Sequence, residues 1–429
     1  MDRRDRGPAP ACTHVKTISE KILSAKSGRD ARAGDIVVCR VDWVLATDAS
    51  SPMAIDYFNR MGGERLFDPS RVLLAMDHYS PPTIPRTAGF HDQMRTFARG
   101  RGADLHDVGD GISFQILSES GAALPGDLVI GADSHTVTCG ALNLFATGVG
   151  SSDVAAAMIT GRTWLKVPES IKIVLTGTRR PRVSAKDVAL ALVADIGADG
   201  ASYQALEFHG PALPGLSLED RLVICNMAVE MDAKASIFPV DGQTEAYLAG
   251  RAKRPFSPIE ADASAAYSRD VAIDLSSLTP RIALPHAPDN VVPIERAVGT
   301  PIHMVFIGTC TGGRVPDIHE AIAVLEAGGG RIAPGVQLVV TPASREVQLR
   351  LLEDGSLRAL AAMGAVITTP GCGACCGTSG AIPADGMNVL STANRNFKAR
   401  MGNANAAIYL ASPAACAAAA LTGRITDPR

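Results

Sequence analysis

The residues of this chain best suited to chemistry are cysteines. Gly371-Cys372-Gly-Ala-Cys375-Cys376-Gly377 sets two thiols three residues apart in a glycine-flanked turn. The glycines let the backbone approach a bulky inorganic core, and the spacing lets both sulfurs face one object. A lone Cys-x-x-Cys is shared by zinc, redox and iron–sulfur sites. Zinc would need a second pair of good ligands, and the sequence has neither another Cys-x-x-Cys nor a close His pair. A third cysteine stands apart in Gly308-Thr-Cys310-Thr-Gly-Gly313. Three thiolates on a four-iron cube leave one iron without a protein ligand, a Lewis acid able to bind a hydroxyl and a carboxylate. The pattern therefore favours a [4Fe–4S] cluster on Cys310, Cys372 and Cys375. Cys376 remains an alternative to Cys375, although the two-residue spacing favours the latter. The odd total of nine cysteines does not suggest a disulfide framework, and Cys39, Cys225 and Cys416 fit buried apolar patterns.

Short apolar runs lead into these and other polar groups. Val72-Leu-Leu-Ala-Met76 runs into Asp77-His78, and Leu128-Val-Ile130 leads to Asp133-Ser-His135. Met304-Val-Phe-Ile307 leads to Cys310, and Ala365-Val-Ile367 to Cys372. In open α/β sheets ligands bind beyond the carboxyl ends of the strands, so four such endings indicate one cleft fed by several strands. The alternation of apolar runs with helical patterns and Gly/Pro loops gives an α/β protein with largely parallel sheets. A helical pattern covers Val154–Trp164, with a break near Lys166-Val-Pro168. Pro280–Val292 reads as a linker, and Ser412-Pro413 with Gly423 punctuates a final Ala-rich helix.

A chain of 429 residues exceeds one core, so two or three domains are expected. The 41 Lys+Arg against 44 Asp+Glu argue against a nucleic-acid coat or a polybasic membrane patch. No apolar run approaches the ~20 residues that span a bilayer. Residues 1–14 are charged and lack the apolar core of a signal peptide, which predicts a disordered extension and a cytoplasmic protein.

From about Val15 onward the chain resembles the aconitase superfamily, and within it the large subunits of the isopropylmalate dehydratase and homoaconitase type. The resemblance rests on Lys21-Ile-Leu-Ser-Ala-Lys-Ser-Gly28, Gly131-Ala-Asp-Ser-His-Thr136 and Phe145-Ala-Thr-Gly-Val-Gly150. It rests also on Trp164-Leu-Lys-Val-Pro-Glu-Ser170, both cysteine motifs and Asn394-Arg-Asn-Phe-Lys-Ala-Arg400. It implies a three-domain α/β/α architecture with mixed and parallel sheets around a [4Fe–4S] cleft. With the breaks above, the expected domains are 15–165, 166–285 and 286–429. Further implications are a cluster on Cys310, Cys372 and Cys375, an Asp77–His78 dyad near the departing hydroxyl, and a pairing of His135 with Glu207. Asp133 and Ser134 are expected to line the pocket, and Arg395 and Arg400 to clamp substrate carboxylates. Side chains five apart on a helix point ~140° from one another, so joint binding by these arginines requires a loop or the lip of a cleft. Arg314 is open between a carboxylate contact and the surface.

The implied reaction removes water from a hydroxy di- or tricarboxylic acid and re-adds it at the neighbouring carbon. In the family a small swivelling domain brings the proton-abstracting serine and another arginine. The Cys372 region already lies near Arg429, so a separate small subunit is expected, in a heterodimer or heterotetramer, with no nucleic-acid or membrane partner. Departures from the family pattern are Phe114 and Thr47 in place of pocket histidines, Gly312 in Cys310-Thr-Gly-Gly-Arg314, and Ala374 with Cys376 in the second cysteine motif. They point to a specialised paralogue with an altered substrate. The rival readings are a cluster-sensing regulator and a cluster-bearing scaffold.

Overall fold

The longest aliphatic runs become strands buried on both faces. Trp43–Thr47, Val72–Ala75 and Met304–Gly308 are buried along their whole length. Their alternate residues enter different cores. Leu45, Leu73 and Phe306 belong to a central cluster, Val44 and Val72 to a second, and Val305 and Ile307 to a third. Strands covered on both sides need no polar alternation, which is why they read as continuous apolar runs. These features come from a computed structural model describing residues 15–429; the expected extension, residues 1–14, lies outside the described residues.

Three sheets repeat one winding. In the first, the parallel order is Asp104–His106, Val72–Ala75, Trp43–Thr47, Leu128–Gly131, Phe145–Gly148. The chain starts in the middle, moves outward on one side, then returns to the other. The second sheet does the same with Ala235–Ile237, Ala205–His209, Ser170–Thr176 and Arg269–Asp274. In the third, Ala407–Ala411, Asn388–Ser391, Met304–Gly308, Gln337–Thr341 and Val366–Ile367 are parallel in that order. Each reversal of strand order opens a crevice at the carboxyl end of the sheet. The four strands expected to lead into His or Cys are all present, and all lie in the first or third sheet.

Two expectations change. The helix read over Val154–Trp164 spans Ser151–Thr160, because Gly161 adopts φ 66° as a left-handed cap. The following Arg162–Lys166 is a strand, paired antiparallel with Ile36–Arg40. The stretch read as a linker supplies the antiparallel strands Arg281–Ala283 and Val291–Pro293 at the edge of the third sheet. That sheet therefore begins before residue 286. The last helix, Pro413–Thr422, has the punctuation expected: the Ala415 amide donates to the Ser412 hydroxyl at 3.3 Å, and Gly423 closes it at φ 72°.

The carboxyl-end loops of the first and third sheets are pressed together. The Ile112 amide donates to Ala343 O at 3.0 Å, and the Cys372 amide donates to Asp77 O at 2.8 Å. Gly111 makes this approach possible at φ 121°: a Cβ there would lie 2.5 Å from the Ser344 Cα. Among the described residues no helix is long and apolar enough to cross a membrane.

Candidate active site

Asp77 and His78 follow the strand Val72–Ala75 and turn back towards each other. His78 Nδ1 lies 2.7 Å from Asp77 Oδ1, and the Ser113 amide donates to Asp77 Oδ2 at 3.0 Å. The carboxylate is thus fixed at the start of the helix Ser113–Glu119, where N–H groups lack helical partners. With Nδ1 engaged, Nε2 faces Cys372 Sγ at 3.8 Å and Asp133 Oδ2 at 3.7 Å. Burial disfavours the imidazolium, yet the negative charges of Cys372 and Asp77 outweigh it and hold the ring well above the ordinary histidine range.

Behind the dyad lies a buried pair that the motifs did not reveal. Asp48 accepts hydrogen bonds from the His78 and Tyr79 amides, each at 2.9 Å, and lies 2.9 Å from His91 Nε2. It closes the turn that carries His78. Its signal in the sequence was an acid directly after the apolar strand Trp43–Thr47.

His135 stands opposite, after the strand Leu128–Gly131. Its Nε2 lies 3.0 Å from Glu230 Oε1, which also accepts from Arg395 Nε at 2.8 Å. Arg395 Nη2 reaches Ser134 Oγ at 3.2 Å, and the His135 amide donates to Asp133 Oδ1 at 2.8 Å. Burial disfavours both carboxylates. For Asp133 the hydrogen bond and charge of His135 prevail, and for Glu230 those of His135 and Arg395; both end below the usual range.

The expected His135–Glu207 pairing is therefore corrected to His135–Glu230. Glu207 is buried inside the second sheet and capping another element. It accepts from the Ile18 and Ser19 amides at 3.0 and 2.9 Å, from Ser19 Oγ at 2.8 Å and from Ser170 Oγ at 3.0 Å. A carboxylate there satisfies the free N–H groups and the dipole of the helix Ile18–Ser27. Glu207→Ala is expected to cost about 3 kcal/mol of stability while leaving kcat within twofold. Denaturant unfolding alongside an activity assay checks this, and a large kcat loss at unchanged stability would return Glu207 to the catalytic set.

The thiols converge at the switch point of the third sheet. Cys310, Cys372 and Cys375 are buried, and Cys376 is partly exposed. Asn394 Nδ2 lies 3.3 Å from Cys310 Sγ, and its Oδ1 lies 3.7 Å from Cys375 Sγ. Arg400 Nη2 lies 3.3 Å from Cys375 Sγ, the contact that raises the guanidinium pKa further against its burial. Cys376 Sγ turns to Thr378 Oγ1 at 2.8 Å. Arg395 and Arg400 lie in irregular backbone between the strands Asn388–Ser391 and Ala407–Ala411, which meets the requirement for a loop. Arg314 is buried, with Nε donating to Gln115 Oε1 at 2.9 Å and Nη1 to Cys310 O at 2.7 Å. Near these thiols the buried Arg314 Nη2 and Arg400 Nε have no hydrogen-bond partner among the described residues. Soft sulfur donors with nearby amide and guanidinium N–H groups fit an anionic iron–sulfur centre.

The departures from the family pattern are accommodated by the surrounding packing. Phe114 is 2% exposed and belongs to the central core, so its ring is buried rather than spread over the cleft wall. Thr47 bonds into its own turn, its amide donating to Ser50 Oγ at 3.1 Å. Gly312 abuts Thr392, whose Oγ1 would lie 2.2 Å from a Cβ at that position.

Doubly wound sheets that converge on buried thiols, paired histidines and arginines belong to the class of α/β enzymes built around a metal centre at their strand ends. Residues 20–423 match the model of the aconitase family (aconitate hydratase), and the chain belongs to that family. It is 45% identical over 415 residues to a protein of Methanopyrus kandleri named 3-isopropylmalate dehydratase large subunit 1, covering 96% of this chain and 99% of that one. A protein of Thermotoga maritima with the same name is 46% identical over 418 residues, with the same coverage. The fold is shared with Thermococcus kodakaraensis aconitase X in its holo-form, at TM-score 0.52, 12% identity and 88% coverage of each chain. Family membership implies an iron–sulfur cluster.

Proposed function

We propose that the chain is the cluster-bearing large subunit of a cytoplasmic iron–sulfur hydro-lyase acting on a hydroxy di- or tricarboxylic acid of the 3-isopropylmalate type. The observation that carries this reading is the meeting, at the strand ends, of three buried thiols with the Asp77–His78 and His135–Glu230–Arg395 pairs. The names of the Methanopyrus and Thermotoga relatives point the same way.

Cys310, Cys372 and Cys375 would hold a [4Fe–4S] cluster, and Asn394, touching both Cys310 and Cys375, favours Cys375 over Cys376. When bound, the cluster supplies a Lewis-acidic iron for the substrate hydroxyl and a carboxylate. His78, oriented through Nδ1 by Asp77, hands a proton from Nε2 to the departing hydroxyl. Asp133 and Ser134 line the same pocket, and Ser134 is held by Arg395. Arg395 and Arg400 offer forked N–H groups to substrate carboxylates. Glu230 holds His135 and Arg395 in register. The proton beside the carboxylate is abstracted by a group on a separate small swivel-domain subunit, in a heterodimer or heterotetramer.

Cluster-reconstituted chain plus small subunit is expected to form an ultraviolet-absorbing alkene from at least one of a panel of alkylmalates and citrate homologues. The chain alone is expected to show no turnover. No alkene from any substrate would favour a scaffold, and full turnover by the chain alone would remove the small subunit from the mechanism.

A further inference from the structure

Lys186 is a buried cation that the reaction as described does not use. It sits in the first turn of the helix Ala185–Ile196 and its side chain is 1% exposed. Its Nζ donates to Ala393 O at 2.7 Å and Thr392 O at 3.0 Å, with Met227 Sδ at 3.6 Å. No carboxylate is among these partners. A buried ammonium without an anion is costly, so such groups are ordinarily paired or neutral. The groups acting on it electrostatically are Cys310, Cys416, Cys375 and Glu230. Glu230 is already shared by Arg395 and His135, and Cys416 is a fully buried thiol whose pKa burial drives far upward. Cys310 and Cys375 are left, and they become thiolates when they bind metal.

The carbonyls that Lys186 holds lead straight to those sulfurs. Thr392 and Ala393 precede Asn394, whose amide lies against both Cys310 and Cys375. Thr392 also accepts at O from Thr311 Oγ1 at 2.7 Å, and its own hydroxyl accepts from the Gly308 amide at 2.9 Å. One ammonium thus anchors the segment that touches the cluster thiols and places a positive charge beneath it.

We infer that Lys186 is the buried counter-charge of the iron–sulfur centre and the positioning residue of the Asn394 loop. This rests on the ligand assignment under the proposed function. Net charge and hydrogen bonding around the sulfurs set a cluster's potential, so removing the cation disfavours the reduced, more negative state.

The test uses reconstituted holoenzyme carrying Lys186→Gln, which keeps an N–H donor without the charge. Lys186→Met, uncharged and similar in length, serves as the second variant should Gln fail to fold. The reduction midpoint, followed by electron paramagnetic resonance, is expected to move to more negative potential by about 59 mV, a tenfold change in the one-electron equilibrium. Cluster loss to a chelator is expected to quicken at least threefold, whereas Lys186→Arg keeps the wild-type potential. In the apo-protein the neutral variant is expected to unfold no earlier than wild type, because the cation there is held by carbonyls alone, with no anion of its own. An unmoved potential with lower unfolding temperatures in both apo and holo forms would leave Lys186 as a plain structural clasp and overturn the inference. Failure of the wild-type chain to take up iron and sulfide would instead overturn the ligand assignment beneath it.

Discussion

Alanine in place of Cys310 is expected to abolish the visible charge-transfer absorbance and bound iron of the reconstituted protein, and to bring turnover to background. The three proposed ligands arrive from two places: Cys310 from the end of Met304–Gly308, and Cys372 with Cys375 from the turn after Val366–Ile367. Without Cys310, two sulfurs from one turn hold the cluster on a single side, and its bridge to Asn394 is lost. Cys376→Ala, by contrast, is expected to keep the full absorbance, because that sulfur is turned to Thr378. Anaerobic reconstitution followed by iron and sulfide analysis reads both variants. Retained cluster in Cys310→Ala, or lost cluster in Cys376→Ala, would require a different ligand set.

The second large effect is expected at Asp77. Asp77→Asn keeps the volume and one acceptor, but two N–H groups compete for it, from His78 Nδ1 and from Ser113. If the amide oxygen takes Ser113, its NH2 faces Nδ1, which must then accept, and Nε2 carries the proton in the neutral ring. The imidazole then keeps a hydrogen bond at Nδ1 but loses the negative charge that favours its protonated form, so Nε2–H belongs to a neutral ring, a weaker acid than the imidazolium. A lost general acid typically costs about 10²- to 10⁴-fold in rate, and we expect kcat to fall within that range. KM should change by less than about threefold if the carboxylate is needed in the transition state rather than for binding. The cluster absorbance should be unchanged, since the Cys372 amide still donates to the Asp77 main-chain carbonyl. A kcat within threefold of wild type would remove the dyad from the mechanism.

Strand ends were the part of this protein most legible in its sequence. Buried parallel strands are uninterrupted apolar runs, and a His or Cys just past such a run stands out, as at His78, His135, Cys310 and Cys372. The caps of Pro413–Thr422 were equally plain, because Ser, Pro and Gly act locally. What failed to show was non-local. Glu207 and Glu230 are both buried acids, and which one meets His135 depends on packing between segments 95 residues apart. Glu230 sits in Asn226-Met-Ala-Val-Glu-Met231, a charge inside an apolar run, and that was its one available signal. The start of the strand Arg162–Lys166 continues the pattern of the preceding helix, and only the left-handed Gly161 separates the two. The edge strands Arg281–Ala283 and Val291–Pro293 are short and rich in proline nearby, so composition alone made them a linker.

Glu207 also sets a schedule. The helix Ile18–Ser27 is made well before the carboxylate that receives its Ile18 amide, which lies 189 residues later. At translation rates of 5–20 residues per second this is a delay of roughly 10 to 40 s. Throughout that interval the Ile18 and Ser19 amides lack this acceptor, although the strands Ile36–Arg40, Leu128–Gly131 and Phe145–Gly148, against which the helix packs, are made before it. A nascent chain stalled before residue 207 therefore carries this helix packed on its strands but without the carboxylate that caps it.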